Sequence, residues 1–215
     1  MATEEQILDN LSTSISTWNN RLMMRSVSEA VEANIPLERI VTDGLGKGME
    51  KIGQMFDDAK IYLSQVVAAA KIMEAALNIL NVGDNIPDEM YRGVVVMGSV
   101  QGDIHDIGKN IVKLLLENYG FDVVDLGKDV APERILEEVV ARRAPLVGLS
   151  ALMTTTVPAM EETIRLLKDK APWCKTVVGG AVLTQEYADR IGADKYAADA
   201  MATVRYAEEV VSAAV

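Results

Sequence analysis

The apolar residues of this chain change their spacing once, and that change divides it into two parts that must fold differently. From Thr3 to about Val82 they recur every three to four positions: Ile7, Leu11, Ile15 and Trp18; Leu22, Val27 and Val31; Leu45, Met49, Ile52, Met55 and Phe56; Tyr62, Val66, Ala69, Ile72 and Met73. That is the period of an amphipathic helix, so this part is expected to be all-helical. Pro36, with its fixed φ, opens a third helix, and Asp57-Asp58 mark the break before a fourth. Four helices on short connections suggest an antiparallel bundle.

Residues 81–88 are polar, carry Gly83 and Pro87, and break the pattern. They read as part of an interdomain linker, with Gly83 to Asp88 a candidate hinge. Beyond them, short apolar runs alternate with amphipathic helices. Strands are expected at 93–97, 122–126, 146–150 and 176–178, with a weaker one at 196–198, and helices at 108–118, 132–142, 157–170, 185–191 and 200–213. Continuous apolar strands separated by helices imply an α/β fold with a doubly wound parallel sheet, of flavodoxin or Rossmann type. The expected organisation is a four-helix cap over 1–82, a linker over 83–91 and an α/β domain over 92–215.

Ligands of such sheets bind at the carboxyl ends of the strands. The loops there run from Gly98 to His105 after the first strand, from Ser150 to Thr156 after the third, and through Gly179-Gly180-Ala181 after the fourth. The first holds the only histidine, His105, within Gly102-Asp103-Ile104-His105-Asp106-Ile107-Gly108-Lys109-Asn110. Imidazole is the commonest neutral metal ligand, and Asp103 is placed to bond its second nitrogen and set its tautomer. An ordinary zinc site needs three or four protein ligands, and a chain with one His and one Cys cannot supply them. If His105 binds a metal, the remaining positions come from elsewhere, such as a macrocycle. A capping or phosphate-binding loop, or a core histidine satisfied by Asp103, explains the same residues.

The other loops carry their own ambiguities. Ser150, Thr154, Thr155 and Thr156 can hydrogen-bond a ligand in a pocket, or one of them can cap the helix starting near Val157. Gly179-Gly180 leaves room for a flat or extended ligand, or makes a turn. Gly108 lets backbone approach a bulky group, and Lys109 and Asn110 read equally well as first-turn surface residues. Neither the Gly-x-Gly-x-x-Gly fingerprint nor a Walker loop occurs at the first loop, which weighs against NAD and nucleoside triphosphates.

Composition narrows the class further. A net charge of −11 argues against nucleic-acid or anionic-membrane partners, which need clustered Lys and Arg. Cys174 is alone, no stretch reaches the roughly 20 apolar residues that span a bilayer, and the acidic N-terminus lacks a signal-peptide pattern, so a cytoplasmic protein is expected. Eleven Met against two Phe fit either a Met-filled core or a surface that re-packs.

Asp103-x-His105-x-x-Gly108, followed by Ser150-x-Leu152 and Gly179-Gly180, resembles the motif set of cobalamin-binding domains that hold the corrinoid base-off with a histidine on. The helical part resembles the cap over the corrin in methionine synthase and in small corrinoid proteins, with Met55-Phe56 and 62–66 matching its pattern. Ser64 stands where the family often has Pro, which puts the local helix start in question. The resemblance implies that His105 is the lower axial ligand of cobalt, that Asp103 bonds it, and that Thr156 completes a proton relay. It further implies cofactor contacts from Gly102, Asp106, Ile107 and Gly108, from Ser150, Leu152 and Thr154 around the buried base, and from Gly179 and Gly180 beside the nucleotide tail. Phe56, Tyr62, Leu63 and Val66 would cover the upper face.

The resemblance implies a methyl carrier, in which cobalt would alternate between a methylated state that holds the imidazole and a Co(I) state that releases it. The implied partners are a substrate-specific methyltransferase, an acceptor methyltransferase acting on a thiol such as coenzyme M or on a tetrahydropterin, and a reductive activation protein. Carriers of this kind serve methylamines, methanol or aryl methyl ethers, and the 150–155 run looks closest to the methylamine group, monomethylamine favoured. The chain is expected to do no net chemistry alone. Three rivals remain: a cobalamin-dependent sensor or regulator, the cobalamin subunit of a radical mutase, and a flavodoxin-like domain without cofactor. The first lacks a signalling module in this sequence, the second normally lacks such a cap, and the third requires three unusual loops to coincide by chance.

Overall fold

The computed structural model describes residues 2–81 and 91–213, which fall into two units, one on each side of the intervening segment. The expected linker lies outside the described residues except for Tyr91.

The N-terminal unit is built of helices throughout. They are α1 (Glu4–Ser16), α2 (Asn20–Glu32), α3 (Leu37–Arg39), a π-helical turn (Ile40–Gly46), α4 (Lys47–Asp57) and α5 (Leu63–Ile79). Thr3 starts α1 by a reciprocal exchange in which its Oγ1 accepts from Gln6 N and Gln6 Oε1 accepts from Thr3 N. Asn19 Oδ1 starts α2 by accepting from Leu22 N at 3.0 Å. Pro36 sits just before the third helical segment, as expected, but 37–57 is not uniform α-helix, because the π-helical turn inserts a wider coil. That segment packs closely on α1: a Cβ at Gly48 would lie 2.6 Å from Ile15 Cβ, so only glycine permits the approach.

The buried face of α2 is Met23, Ser26, Val27 and Ala30: Val27 is buried as expected, while Met23 and Ala30 take the places expected for Leu22 and Val31. Val31 is 56% exposed. Trp18 lies between α1 and α2 at φ +53° and donates its indole N–H to Gln65 O at 2.8 Å. The last helix begins at Leu63, with Gln65 Oε1 accepting from Tyr62 N, so Ser64 in place of Pro leaves an ordinary start.

The second unit alternates strand and helix: β1 (Val94–Ser99), α6 (Ile107–Asn118), β2 (Asp122–Asp125), α7 (Pro132–Arg142), β3 (Leu146–Ser150), α8 (Val157–Lys170), β4 (Lys175–Gly179), α9 (Gln185–Ile191), β5 (Lys195–Tyr196) and α10 (Ala200–Ser212). The five strands are parallel in the order β2-β1-β3-β4-β5. This is the doubly wound order, whose direction reverses between β1 and β3. Helices α7, α8 and α9 cover one face, their Ile135, Val139, Met160, Ile164, Leu167 and Ile191 packing on Val96, Val147 and Val178. Helices α6 and α10 pack together on the other. Strands buried on both faces explain why Val95, Val96, Leu146, Val147 and Val178 are continuous apolar runs rather than alternating ones.

Candidate functional site

Parallel pairing places Ser99, Ser150 and Gly179 at one level across β1, β3 and β4. The three unusual loops therefore leave the sheet from one edge, beside the point where strand order reverses.

Between β1 and α6 the chain turns at Gly102, φ +83°, and buries Asp103 completely. That carboxylate accepts from both sides. Oδ1 takes the backbone N–H of His105 at 3.0 Å and lies 2.8 Å from His105 Nδ1. Oδ2 takes the N–H groups of Leu152 at 2.7 Å and Met153 at 3.3 Å, and the Thr156 hydroxyl at 2.9 Å. Burial by itself would raise the Asp103 pKa, but the bonds from Leu152, His105 and Thr156 outweigh it and hold the group well below the usual carboxylate range. An ionised carboxylate carries no proton, so the hydrogen in the Asp103–His105 bond belongs to Nδ1. This fixes the tautomer with its lone pair on Nε2, the nitrogen facing away from Asp103.

The His105 side chain is 46% exposed although its partner is buried. Its neighbours Ile104 and Ile107 are 64% and 79% exposed, and a Cβ at Gly108 would meet nothing within 4 Å. The lone pair thus emerges from an apolar, open surface. Among the described residues no group of three or more His, Cys, Asp or Glu side chains can hold a metal ion.

Thr156 stands at the N-cap of α8 but makes no capping bond with its side chain. Its hydroxyl lies 2.9 Å from both Asp103 Oδ2 and Met153 O, and its single proton goes to the charged acceptor. Capping therefore does not account for it. Thr154 and Thr155 are exposed, and Ser150 is half-buried at the end of β3. Leu152 is 40% exposed and joins the site through its backbone N–H.

The two glycines after β4 differ. Gly180 has φ +140°, and a Cβ there would lie 1.8 Å from Ala151 O, so the β3 and β4 loops touch only because it has no side chain. A Cβ at Gly179 would make ordinary contact with Ala197 O at 3.6 Å. In the helical unit, Phe56 and Leu63 are half-buried, Tyr62 is exposed and Val66 is buried.

Two residues that the sequence reading did not single out, Ser99 and Asp129, and one that it left open, Lys109, belong to this site. Ser99, at the end of β1, donates Oγ–H to His105 O at 2.6 Å. Asp129 accepts from Gly102 N at 2.6 Å. Lys109 is buried rather than a surface residue, and its Nζ lies 2.6 Å from Asp125 Oδ1. A lysine in the first turn of a helix that follows one strand, opposite an acid ending the next strand, is a faint sequence signal; the other two carry none.

A B12 binding domain model matches residues 93–210, and a second B12 binding domain model matches residues 7–81. The chain is 40% identical over 213 residues to dimethylamine corrinoid protein 2 of Methanosarcina acetivorans, covering 98% of each chain. It is 37% identical to trimethylamine corrinoid protein 2 of Methanosarcina mazei, covering 98% of this chain and 100% of that one. Among solved structures, the methanol:cobalamin methyltransferase complex MtaBC from Methanosarcina barkeri aligns with a TM-score of 0.83 at 26% identity, over 98% of this chain and 81% of that one.

The residues fit a corrinoid. One imidazole with an outward lone pair serves a metal whose other positions a macrocycle fills, and exposed Ile104 and Ile107 give a flat ring an apolar bed. By its two B12 binding domains and its full-length likeness to methylamine corrinoid proteins, this chain belongs to the corrinoid proteins of methyltransferase systems.

Proposed function

We propose that this protein is a methyl carrier of a methylamine system, holding its corrinoid base-off with His105 as the lower ligand. When bound, the corrinoid supplies a cobalt centre that accepts a methyl group and passes it on. The observation that carries this reading is the Asp103 carboxylate, which keeps the proton on His105 Nδ1 and leaves Nε2 free to ligate.

Within that role Asp103 and Thr156 hold the proton at Nδ1 while the ring binds, and receive or return one as ligation changes. Asp106, Ile107 and Gly108 border the ring from below. Ser150, Leu152, Thr154, Gly179 and Gly180 accommodate the nucleotide tail at the β3 and β4 edge. Phe56, Tyr62, Leu63 and Val66 shield the upper face from water. We place the protein in the cytoplasm; among the described residues no helix is long and apolar enough to cross a membrane.

One partner methyltransferase loads the methyl group and another removes it, to coenzyme M or to a tetrahydropterin, with a reductive activation protein restoring the reduced cofactor. The 150–155 run favours a methylamine, and we take monomethylamine as the substrate, whereas the relatives described above are named for dimethylamine and trimethylamine. The test is reconstitution of the full chain with hydroxocobalamin, a reductant, a coenzyme M methyltransferase and, in separate arms, the methyltransferases for mono-, di- and trimethylamine. Methylation of coenzyme M in one arm, abolished by His105→Ala, supports the carrier. A protein that retains the corrinoid but transfers methyl in no arm contradicts it.

A further inference from the structure

Segment 102–109 spans an arch whose middle is exposed at Ile104, His105, Ile107 and Gly108 and whose two ends are buried or tied down. Both ends are held from one stretch of chain, the last residue of β2 and the loop that joins β2 to α7. At the start, Asp129 Oδ1 accepts from Gly102 N at 2.6 Å while Asp129 N donates to Asp103 O at 2.9 Å, a two-bond clamp around the residue that orients His105. At the far end, Asp125 Oδ1 takes Lys109 Nζ at 2.6 Å, and the Lys109 side chain is 1% exposed.

The stretch providing these acids is itself fixed to the sheet. Leu126 N donates to Met97 O, Ser99 N to Gly127 O and Val130 N to Ser99 O. Gly127 N donates to Asp125 Oδ1, which holds that carboxylate in place for the lysine.

We propose that Asp125 and Asp129 are positioning residues for His105, holding both ends of its arch so that the imidazole leaves and returns without moving Asp103. This rests on the reading of His105 as the lower ligand. Neither acid touches the ring. They act by keeping the arch at fixed span, and loss of such an outer partner costs a metal site about 10-fold or more in affinity.

Asp129 has φ +55°, so glycine preserves the backbone and its N–H bond while removing the carboxylate. Asparagine tolerates the same φ and keeps an Oδ1 acceptor. The full-length chain is titrated with hydroxocobalamin, recording affinity and, at saturation, the visible spectrum that separates histidine-on from histidine-off cofactor. Expected are about 10-fold weaker binding and a larger histidine-off fraction for Asp129→Gly and Asp125→Ala, with the wild-type spectrum restored in Asp129→Asn. If the glycine variant does not fold, Asp129→Ser, whose arm ends one bond short of the carboxylate oxygen, replaces it under the same outcomes.

A role in stability alone would lower the melting temperature and leave the spectrum of the saturated protein unchanged, and that result overturns the proposal. So does an asparagine variant as impaired as the glycine one. His105→Ala separates the two ideas: if it keeps the wild-type spectrum, the ligand reading fails and this proposal with it, whereas a shift there beside wild-type behaviour in both acid variants defeats the positioning role alone.

Discussion

Asp103→Asn inverts the logic of the site with almost no change in volume. An amide has one acceptor arm and one donor arm, and Asp103 now faces donors on both sides. If NH2 points toward Leu152, it opposes two fixed backbone N–H groups and the Thr156 hydroxyl; pointed toward His105, it opposes one fixed N–H and a ring that can change tautomer. The second arrangement strands fewer donors, so the NH2 takes the histidine side. The His105 backbone N–H is then left without its acceptor, costing about 1–3 kcal/mol. The bonds from Leu152, Met153 and Thr156 also lose their charge assistance, which brings the total to about 2–4 kcal/mol at neutral pH. The ring must accept at Nδ1, and its proton moves to Nε2, the ligating atom.

Two measurements on the cofactor-free chain check this. Urea unfolding should show the full loss of about 2–4 kcal/mol, and nitrogen NMR of the one histidine should show the proton transferred from Nδ1 to Nε2. A destabilisation under about 0.5 kcal/mol, or a ring still protonated at Nδ1, refutes the reasoning. The pH dependence has a defined sign. Asp103 is depressed in the folded state, so its stabilisation is complete above the unfolded carboxylate pKa of about 4 and is lost as pH falls below that. The stability gap between the two proteins should therefore shrink in acid and not in base.

Three further substitutions test neighbouring contacts. Thr156→Val removes a hydroxyl donor from a buried carboxylate and should cost about 1–3 kcal/mol in urea unfolding, with Thr156→Ser recovering most of it; a neutral valine variant beside a destabilised serine one would show that the methyl, not the hydroxyl, matters. Gly180→Ala forces a side chain into Ala151 O at a φ that disfavours it and should cost at least about 2 kcal/mol, whereas Gly179→Ala should stay within about 1 kcal/mol; matching thermal shifts for the pair would contradict the assigned asymmetry. Lys109→Met leaves Asp125 without its close cation, although Lys113 remains 3.7 Å away, and should destabilise by about 3 kcal/mol; a neutral effect on the denaturation midpoint would mean the buried pair contributes nothing.

The fold was legible because two periods dominate this sequence. Buried parallel strands such as Leu146–Ser150 leave unbroken apolar runs, and Pro132 and Gly192 mark a helix start and end directly. The rotation of α2 was not legible: Leu22 and Val31 match the period as well as Met23 and Ala30, and only packing selects between them. The π-helical turn at Ile40–Gly46 likewise leaves no periodic mark, since its one cause visible here is the close approach of α1 at Gly44 and Gly48. At the site, Asp103 and His105 are near in sequence and were readable as a pair, but Asp129 reaches a backbone N–H 27 positions away, and no side-chain pattern records a bond to backbone. Thr156 was readable as a hydroxyl, while its choice of Asp103 over the helix end depends on the path of the 151–156 loop.

Because this chain holds a single histidine, one isotope experiment addresses the central claim without ambiguity. The protein is grown with histidine labelled at both ring nitrogens with 15N, loaded with unlabelled corrinoid, reduced to the paramagnetic Co(II) form and examined by electron paramagnetic resonance. An axial 14N splits each cobalt line into three and an axial 15N into two. Ligation by His105 predicts that labelling converts the triplets to doublets. Triplets that persist in the labelled protein would mean that the cofactor keeps its own base, and His105 would not be the lower ligand.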